Sequence, residues 1–226
     1  MIPIQWKQND KKTMHVNEAE NGVVYLTWPA IEKIEGIRHA FSTRIGGVSK
    51  EHLSSMNLSF SRGDDPANVR ENYRRFCEAA GFEVENIVTS DQAHTTKVRY
   101  VTKADCGSGV TRDRDFHDID GMITDEPGVV LATFYADCVP LYFVDPVHRA
   151  IGLSHSGWRG TVHKMGQVTL DAMHERFGTE AKDVIAAVGP SICQDCYEVS
   201  GDVIEEFRAA FPETLHENCL LYTSDA

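Results

Sequence analysis

Apolar side chains recur along residues 66–80 with the spacing of one helical face, at Val69, Tyr73, Phe76, Cys77 and Ala80. Asp65-Pro66 reads as an N-cap followed by proline at the first helical position, and Gly81 stops the run. A second helix is predicted from Thr161 to Phe177, with Val162, Met165, Val168, Ala172 and Met173 on one side and Gly178 at its end. A third runs from Asp202 to Phe211, before Pro212. Between them lie short β-like runs: Val23–Thr27, Ile37–Ser42, Asn86–Thr89, Lys97–Thr102, Val129–Phe134, Leu141–Val144, Ala150–Ser154 and Val184–Val188. Strands outnumber helices and do not alternate strictly with them. The pattern predicts an α+β fold, with mixed β-sheets flanked by helices, over a doubly wound parallel sheet. No repeat, low-complexity tract or long linker divides the chain, so one domain is expected.

Composition narrows the partners. The 226 residues are 42% hydrophobic and 25% charged, which is ordinary for a globular domain that needs no disulfide or metal to hold its fold. Twenty-two basic against 34 acidic residues give a net charge of −12. Such a charge repels both a polyphosphate backbone and an anionic lipid surface, so no nucleic acid and no membrane are expected as partners. No stretch approaches the ~20 apolar residues of a bilayer span. Met1–Lys7 lacks the basic-then-apolar layout of a signal peptide. A cytoplasmic location follows as an expectation. The six cysteines (77, 106, 138, 193, 196, 219) are then reduced thiols, most of them buried small hydrophobes. Charge is unevenly spread: residues 36–75 carry seven basic side chains against four acidic, and residues 171–226 three against twelve. The first region would steer a small anion.

Familiar short motifs are absent. There is no Gly-x-x-x-x-Gly-Lys loop, no Gly-x-Gly-x-x-Gly fingerprint and no His-Glu-x-x-His. The base-deaminase pairing of His-x-Glu with Pro-Cys-x-x-Cys is missing too. Gly152–Gly157 only mimics a nucleophile elbow, because Ser156 stands where glycine is required two positions after Ser154. Cys193-Gln-Asp-Cys196 is a lone C-x-x-C and reads as two structural thiols.

Three segments share a β-like run that leads to a metal-binding group: Asn86–Thr89 to His94, Val129–Phe134 to Cys138, and Ala150–Ser154 to His155. Two imidazoles and a thiolate suit zinc, and three protein ligands leave the fourth tetrahedral position open, as catalytic sites do. No local motif ties groups 44 and 17 residues apart, so spacing alone leaves hydrogen-bonded histidines as the other reading.

Five segments resemble one family, the YfiH-type laccase-domain proteins, also known as multicopper polyphenol oxidases and now regarded as purine nucleoside phosphorylases. They are His39–Ser49, Gln92–Val98, Asp120–Thr124, Ala136–Asp145 continuing through Ala150–Thr161, and Val188–Val199. The Asp-Cys-x-Pro and His-x-Gly-Trp-Arg-Gly pair is the most specific. The resemblance implies a YfiH-like α+β sandwich over residues 23–218, after an N-terminal extension (1–22). It implies His94, Cys138 and His155 as metal ligands, with Zn2+ as cofactor and copper possible in vitro. Family members continue with a further helix, strand and Arg-containing segment that have no counterpart here. The chain is therefore expected to lack that C-terminal segment, and residues 219–226 to form a non-native tail.

The reaction implied is phosphorolysis of adenosine, inosine, guanosine and methylthioadenosine to base plus ribose-1-phosphate, with inorganic phosphate as co-substrate. Hydrolytic deamination of adenosine is implied beside it. Arg44, with Ser42 and the Gly46-Gly47 backbone, is the candidate phosphate seat, a surface ion pair and a tight turn being the other readings. Gln92 and Arg159 are further substrate-binding candidates. Asp137 or Asp120 would orient an imidazole, and Asp120 could otherwise act as a base for the leaving purine. Trp158 reads as core before it reads as a stacking platform. The competing functions are a copper-dependent polyphenol oxidase and a cell-wall precursor editing hydrolase with Cys138 as nucleophile. No His-x-His pair of the kind an oxygen-reducing copper cluster uses occurs among the ten histidines. A binding module without catalysis is the remaining alternative. A monomer or small homo-oligomer is expected.

Overall fold

The structure is a computed structural model that describes residues 13–213 and 221–222. The chain divides into two compact units, one up to Glu83 and one from Val84 onward.

In the first unit β1 (His15–Glu18), β2 (Val24–Thr27) and β3 (Phe41–Ser42) form an antiparallel sheet in the order β1-β2-β3. A short helix α1 (Pro29–Glu32) follows β2, and α2 (Pro66–Ala80) closes the unit. Helix α2 matches its predicted limits. The Asp65 side chain accepts from the Ala67 N–H at 2.8 Å, Pro66 opens the helix, and Gly81 ends it in the left-handed conformation at φ +74°. Val69, Tyr73 and Cys77 are buried together with Val23 and Ile31. Asn72 is wholly buried; it accepts from the Val48 N–H and donates to Ser49 Oγ and the Asn57 carbonyl, which pins the loop between β3 and α2. The predicted strand 37–42 shortens to two residues. Ahead of them His39 leaves the ladder, and its Nε2 accepts the Trp28 N–H at 2.6 Å. Strand β1 was not foreseen: it pairs along Val16↔Leu26, and none of its side chains is buried.

The second unit is built on a five-stranded mixed sheet of β5 (Val98–Tyr100), β6 (Gly121–Thr124), β8 (Val139–Asp145), β9 (Ala150–Ser156) and β10 (Ile185–Val188). Its order is β10-β8-β9-β6-β5, antiparallel except for the parallel β5–β6 pair. Strands β4 (Ile87–Thr89) and β7 (Val130–Ala132) form a separate parallel pair. Strand β6 lacks an alternating pattern because all four of its residues are buried, and it was not predicted.

The helix expected over 161–177 is two helices, α3 (Trp158–Val162) and α4 (Met165–Phe177). Lys164 breaks the run in the left-handed conformation at φ +58°. The break turns Met165, Thr169 and Met173, all wholly buried, toward the sheet. A Cβ on Gly152 of β9 would lie 3.0 Å from Met173 Sδ, so helix and strand are in close contact. Beyond the sheet, β11 (Glu198–Val199) leads into α5 (Gly201–Ala210), whose Val203 and Ile204 pack with Val199, Trp158, Tyr197 and Phe207. Of the tail 219–226, only Leu221–Tyr222 are described; they form β12, parallel to β11.

The cysteines depart from expectation. Cys77 is buried and Cys106 and Cys138 are half-buried, but Cys193 and Cys196 are exposed on a 3-10 turn, and Cys219 lies outside the described residues. Hydrophobicity alone does not place the C-x-x-C pair inside. Among the described residues no helix is long and apolar enough to cross a membrane.

Candidate metal centre

Strands β4 and β7 run parallel, so the chain leaves both at the same end of the pair. The loop after β4 carries His94, and the loop after β7 carries Cys138 directly before β8. His155 lies inside β9, one residue from its end, and not after the strand as its motif implied. The β8–β9 register pairs Pro140 with His155 and Val139 with Ser156, which brings Cys138 alongside the end of β9. One ligand atom from each of His94, Cys138 and His155 lies within 4.8 Å of the others. Bonds of about 2.0–2.3 Å to a shared tetrahedral ion set their ligand atoms about 3.5 Å apart, inside that limit. The two imidazoles meet edge-on, with ring centroids 4.9 Å apart.

Asp120 organises this group. It sits just before β6, wholly buried. One carboxylate oxygen pairs with His155 Nδ1 at 2.8 Å and accepts from the His94 N–H at 3.2 Å. The other accepts from the N–H groups of Ala93 and Thr95 and from the Thr95 hydroxyl. These bonds hold His94 in the left-handed backbone region, at φ +59°. Burial raises the pKa of the Asp120 carboxyl, but the bonds from His155, Thr95 and Ala93 outweigh it and hold it below the usual carboxylate range. An ionised Asp120 only accepts, so His155 Nδ1 donates to it and the Nε2 lone pair is left to ligate. Tyr135 backs His155, with ring centroids 5.7 Å apart, and its hydroxyl donates to the Ser154 carbonyl at 3.2 Å.

Burial, Asp137 and Asp120 together push the Cys138 thiol up. A thiolate at this position therefore needs a cation to displace its proton. The donor set fits such an ion: two nitrogens, one sulfur and a carboxylate behind one imidazole.

The family model described as "Multi-copper polyphenol oxidoreductase laccase" matches residues 38–222. The chain belongs to this laccase family. Among relatives, a protein named purine nucleoside phosphorylase from Deinococcus radiodurans is 40% identical over 174 residues, covering 77% of this chain and 64% of the relative. The chain thus spans less than two thirds of that relative's length. A protein named adenosine deaminase RL5, from an unknown prokaryotic organism, is 32% identical over 181 residues, covering 79% and 68%. The crystal structure of YlmD from Geobacillus stearothermophilus superposes with a TM-score of 0.77 at 33% identity, covering 89% of this chain and 74% of that one. The α+β architecture of mixed sheets and helices is the one these laccase-family structures share.

The remaining candidates of this laccase-family chain fall in several places. Gln92 is clamped: its amide donates to the Phe134 carbonyl at 2.6 Å and accepts from the Phe134 N–H at 2.7 Å, tying the His94 loop to the segment that leads to Cys138. Asp137 is exposed beside Cys138, and its carbonyl accepts from the Ile192 N–H. Arg159 is exposed, with its guanidinium 4.2 Å over the Trp158 ring, and Trp158 itself packs into the α5 cluster as expected of core. Ser42, Arg44, Gly46 and Gly47 belong to the first unit. There the Arg44 guanidinium donates to the carbonyls of His52 and Ser54. Gly46 and Gly47 lie close against neighbouring backbone: a Cβ on Gly46 would lie 2.4 Å from Val23 Cα, and one on Gly47 2.0 Å from the Ser55 carbonyl oxygen. Tyr197, which sequence reasoning missed, follows the C-x-x-C turn; burial and the nearby Cys138 and Asp137 push its phenol up, so it stays neutral beside the centre. Only its proximity in space marks it, since nothing in its local sequence does.

Proposed function

We propose that this chain is a zinc-dependent purine nucleoside enzyme. It would cleave adenosine, inosine, guanosine and methylthioadenosine with inorganic phosphate, and deaminate adenosine by hydrolysis. The observation that carries this reading is the convergence of His94, Cys138 and His155 behind a single orienting carboxylate. The names of the relatives, purine nucleoside phosphorylase and adenosine deaminase, support the choice of substrate class.

A zinc ion held by the three groups would supply Lewis acidity at one vacant position, suited to water for attack on C6 of adenine. Asp120 keeps the His155 tautomer fixed and holds the His94 loop, so the ligands are preorganised. Both Asp120 oxygens are already engaged, so proton transfer falls to the exposed Asp137 beside Cys138. In phosphorolysis a phosphate oxygen bonds to ribose C1′ while the bond from C1′ to purine N9 breaks. The departing purine carries the electron pair and takes a proton from water, with Asp137 as the proposed relay. Arg44, with Ser42 and the Gly46-Gly47 backbone, is the proposed phosphate contact of the first unit, although its Nε and Nη2 already donate to the Ser54 and His52 carbonyls. Gln92 and Arg159 remain proposed substrate contacts, although Gln92 also bridges the two ligand loops.

Chromatographic product analysis of adenosine with the zinc-loaded protein tests this. Adenine plus ribose-1-phosphate is expected when phosphate is present, and inosine with or without it. Unchanged adenosine in both arms overturns the assignment. A copper reading has one observation in its favour, since a two-His, one-Cys set also suits copper. An intense visible charge-transfer band on copper loading, together with oxygen uptake on a phenol, would move the assignment there.

A further inference from the structure

Gly157 lies between β9 and α3, two residues after His155, and is buried. Its backbone, at φ −75° and ψ −178°, is open to any residue, so conformation does not call for glycine here. Space does. A Cβ at this position would sit 2.6 Å from His94 Nδ1, 3.2 Å from His94 Cε1 and 3.1 Å from Cys138 Sγ. The obstruction would therefore fall between the side chains of two of the three ligands. Both ligands are held at their backbones, so a Cβ here is accommodated by turning their side chains away from each other. The His94 backbone is fixed by the bonds that Asp120 accepts from residues 93–95, and the Cys138 backbone is anchored by the Val139↔Ser156 pairing that follows it.

We propose that Gly157 sets the room for the ion: the missing side chain keeps His94 and Cys138 close enough to share one cation, and any larger residue holds them apart. Gly157 is thus a positioning residue for the centre, acting through His94 and Cys138. The proposal rests on the metal-centre reading above. Gly160, three residues on, supplies a built-in comparison, because a Cβ there would meet nothing closer than 3.5 Å.

The test compares the wild-type protein with Gly157→Ala and Gly160→Ala, each stripped of metal and then titrated with zinc against a chromophoric chelator. Cobalt(II) loading is followed in parallel through its thiolate charge-transfer band. Zinc binding by Gly157→Ala is expected to be weaker by roughly ten- to a hundredfold, with the cobalt–thiolate band diminished. Gly160→Ala should bind as the wild type does. The metal-free melting temperature of Gly157→Ala should stay near that of the metal-free wild type. Wild-type affinity and band in Gly157→Ala overturn the proposal. So does unfolding of metal-free Gly157→Ala, which would show that packing and not the ion requires glycine. Failure of the wild-type protein to bind zinc or cobalt sinks the metal-centre reading instead, so the two failures are distinguishable.

Discussion

Asp120 accepts five hydrogen bonds through two carboxylate oxygens, from three backbone N–H groups, one hydroxyl and one imidazole. An amide in its place would turn half of that acceptor into a donor that faces other donors. Asp120→Asn is expected to weaken zinc binding by roughly 10–100-fold; unchanged affinity in a chelator competition would refute the orienting role. In the first unit, Asp64 accepts from Ser49 Oγ and from the Asn57 and Asn68 amides, which lower its pKa from 3.8 to about 2. A depressed folded-state pKa contributes stability in full above pH 3.8 and loses it as the pH falls through about 2. Acid titration followed by circular dichroism should show that loss in the wild type and a flatter profile in Asp64→Asn. At this scale the sequence named the three candidate metal ligands that the structure brings together and offered Asp120 and Asp137 as alternative orienters. It could not choose between the two carboxylates, because the choice depends on which one lies behind His155 across β6 and β9.

Helix α2 was legible because its signals are local: a capping aspartate, a proline at the first position, an apolar stripe and a terminal glycine. Asp65→Ala removes the cap and should cost about 1 kcal/mol in denaturant unfolding; no shift in midpoint would mean that the Ala67 N–H finds another acceptor. The α3–α4 break was not legible, since Lys164 gives no local sign that it will turn left-handed. That conformation costs a non-glycine residue roughly 1–2 kcal/mol, while glycine loses part of the relief through its freer unfolded chain. Lys164→Gly is accordingly expected to stabilise the protein by up to about 1 kcal/mol, readable as a higher melting temperature. Strands β1 and β6 escaped prediction for opposite reasons: none of the side chains of β1 is buried, and all of those of β6 are, so neither shows a two-residue rhythm.

For the molecule as a whole, the proposal that one ion serves both reactions makes a joint prediction. Chelation should abolish adenosine cleavage and deamination together, and added zinc should restore both, whereas withholding phosphate should stop cleavage alone. Loss of only one activity on chelation would show that the two reactions do not share the ion. The order of residues along the chain carried whatever is set by neighbours: helix caps, apolar stripes, the α+β proportion of elements and the motifs that mark the laccase family. Pairing across the sheet settled the rest, because His94, Cys138 and His155 are 44 and 17 residues apart and meet only when β4 lies beside β7 and β8 beside β9. The fixing of His155 by Asp120, the neutral phenol of Tyr197 beside Cys138 and the need for an empty position at Gly157 all arise from that convergence. Each is a relation between distant residues in a shared volume, and no local stretch of chain encodes a volume.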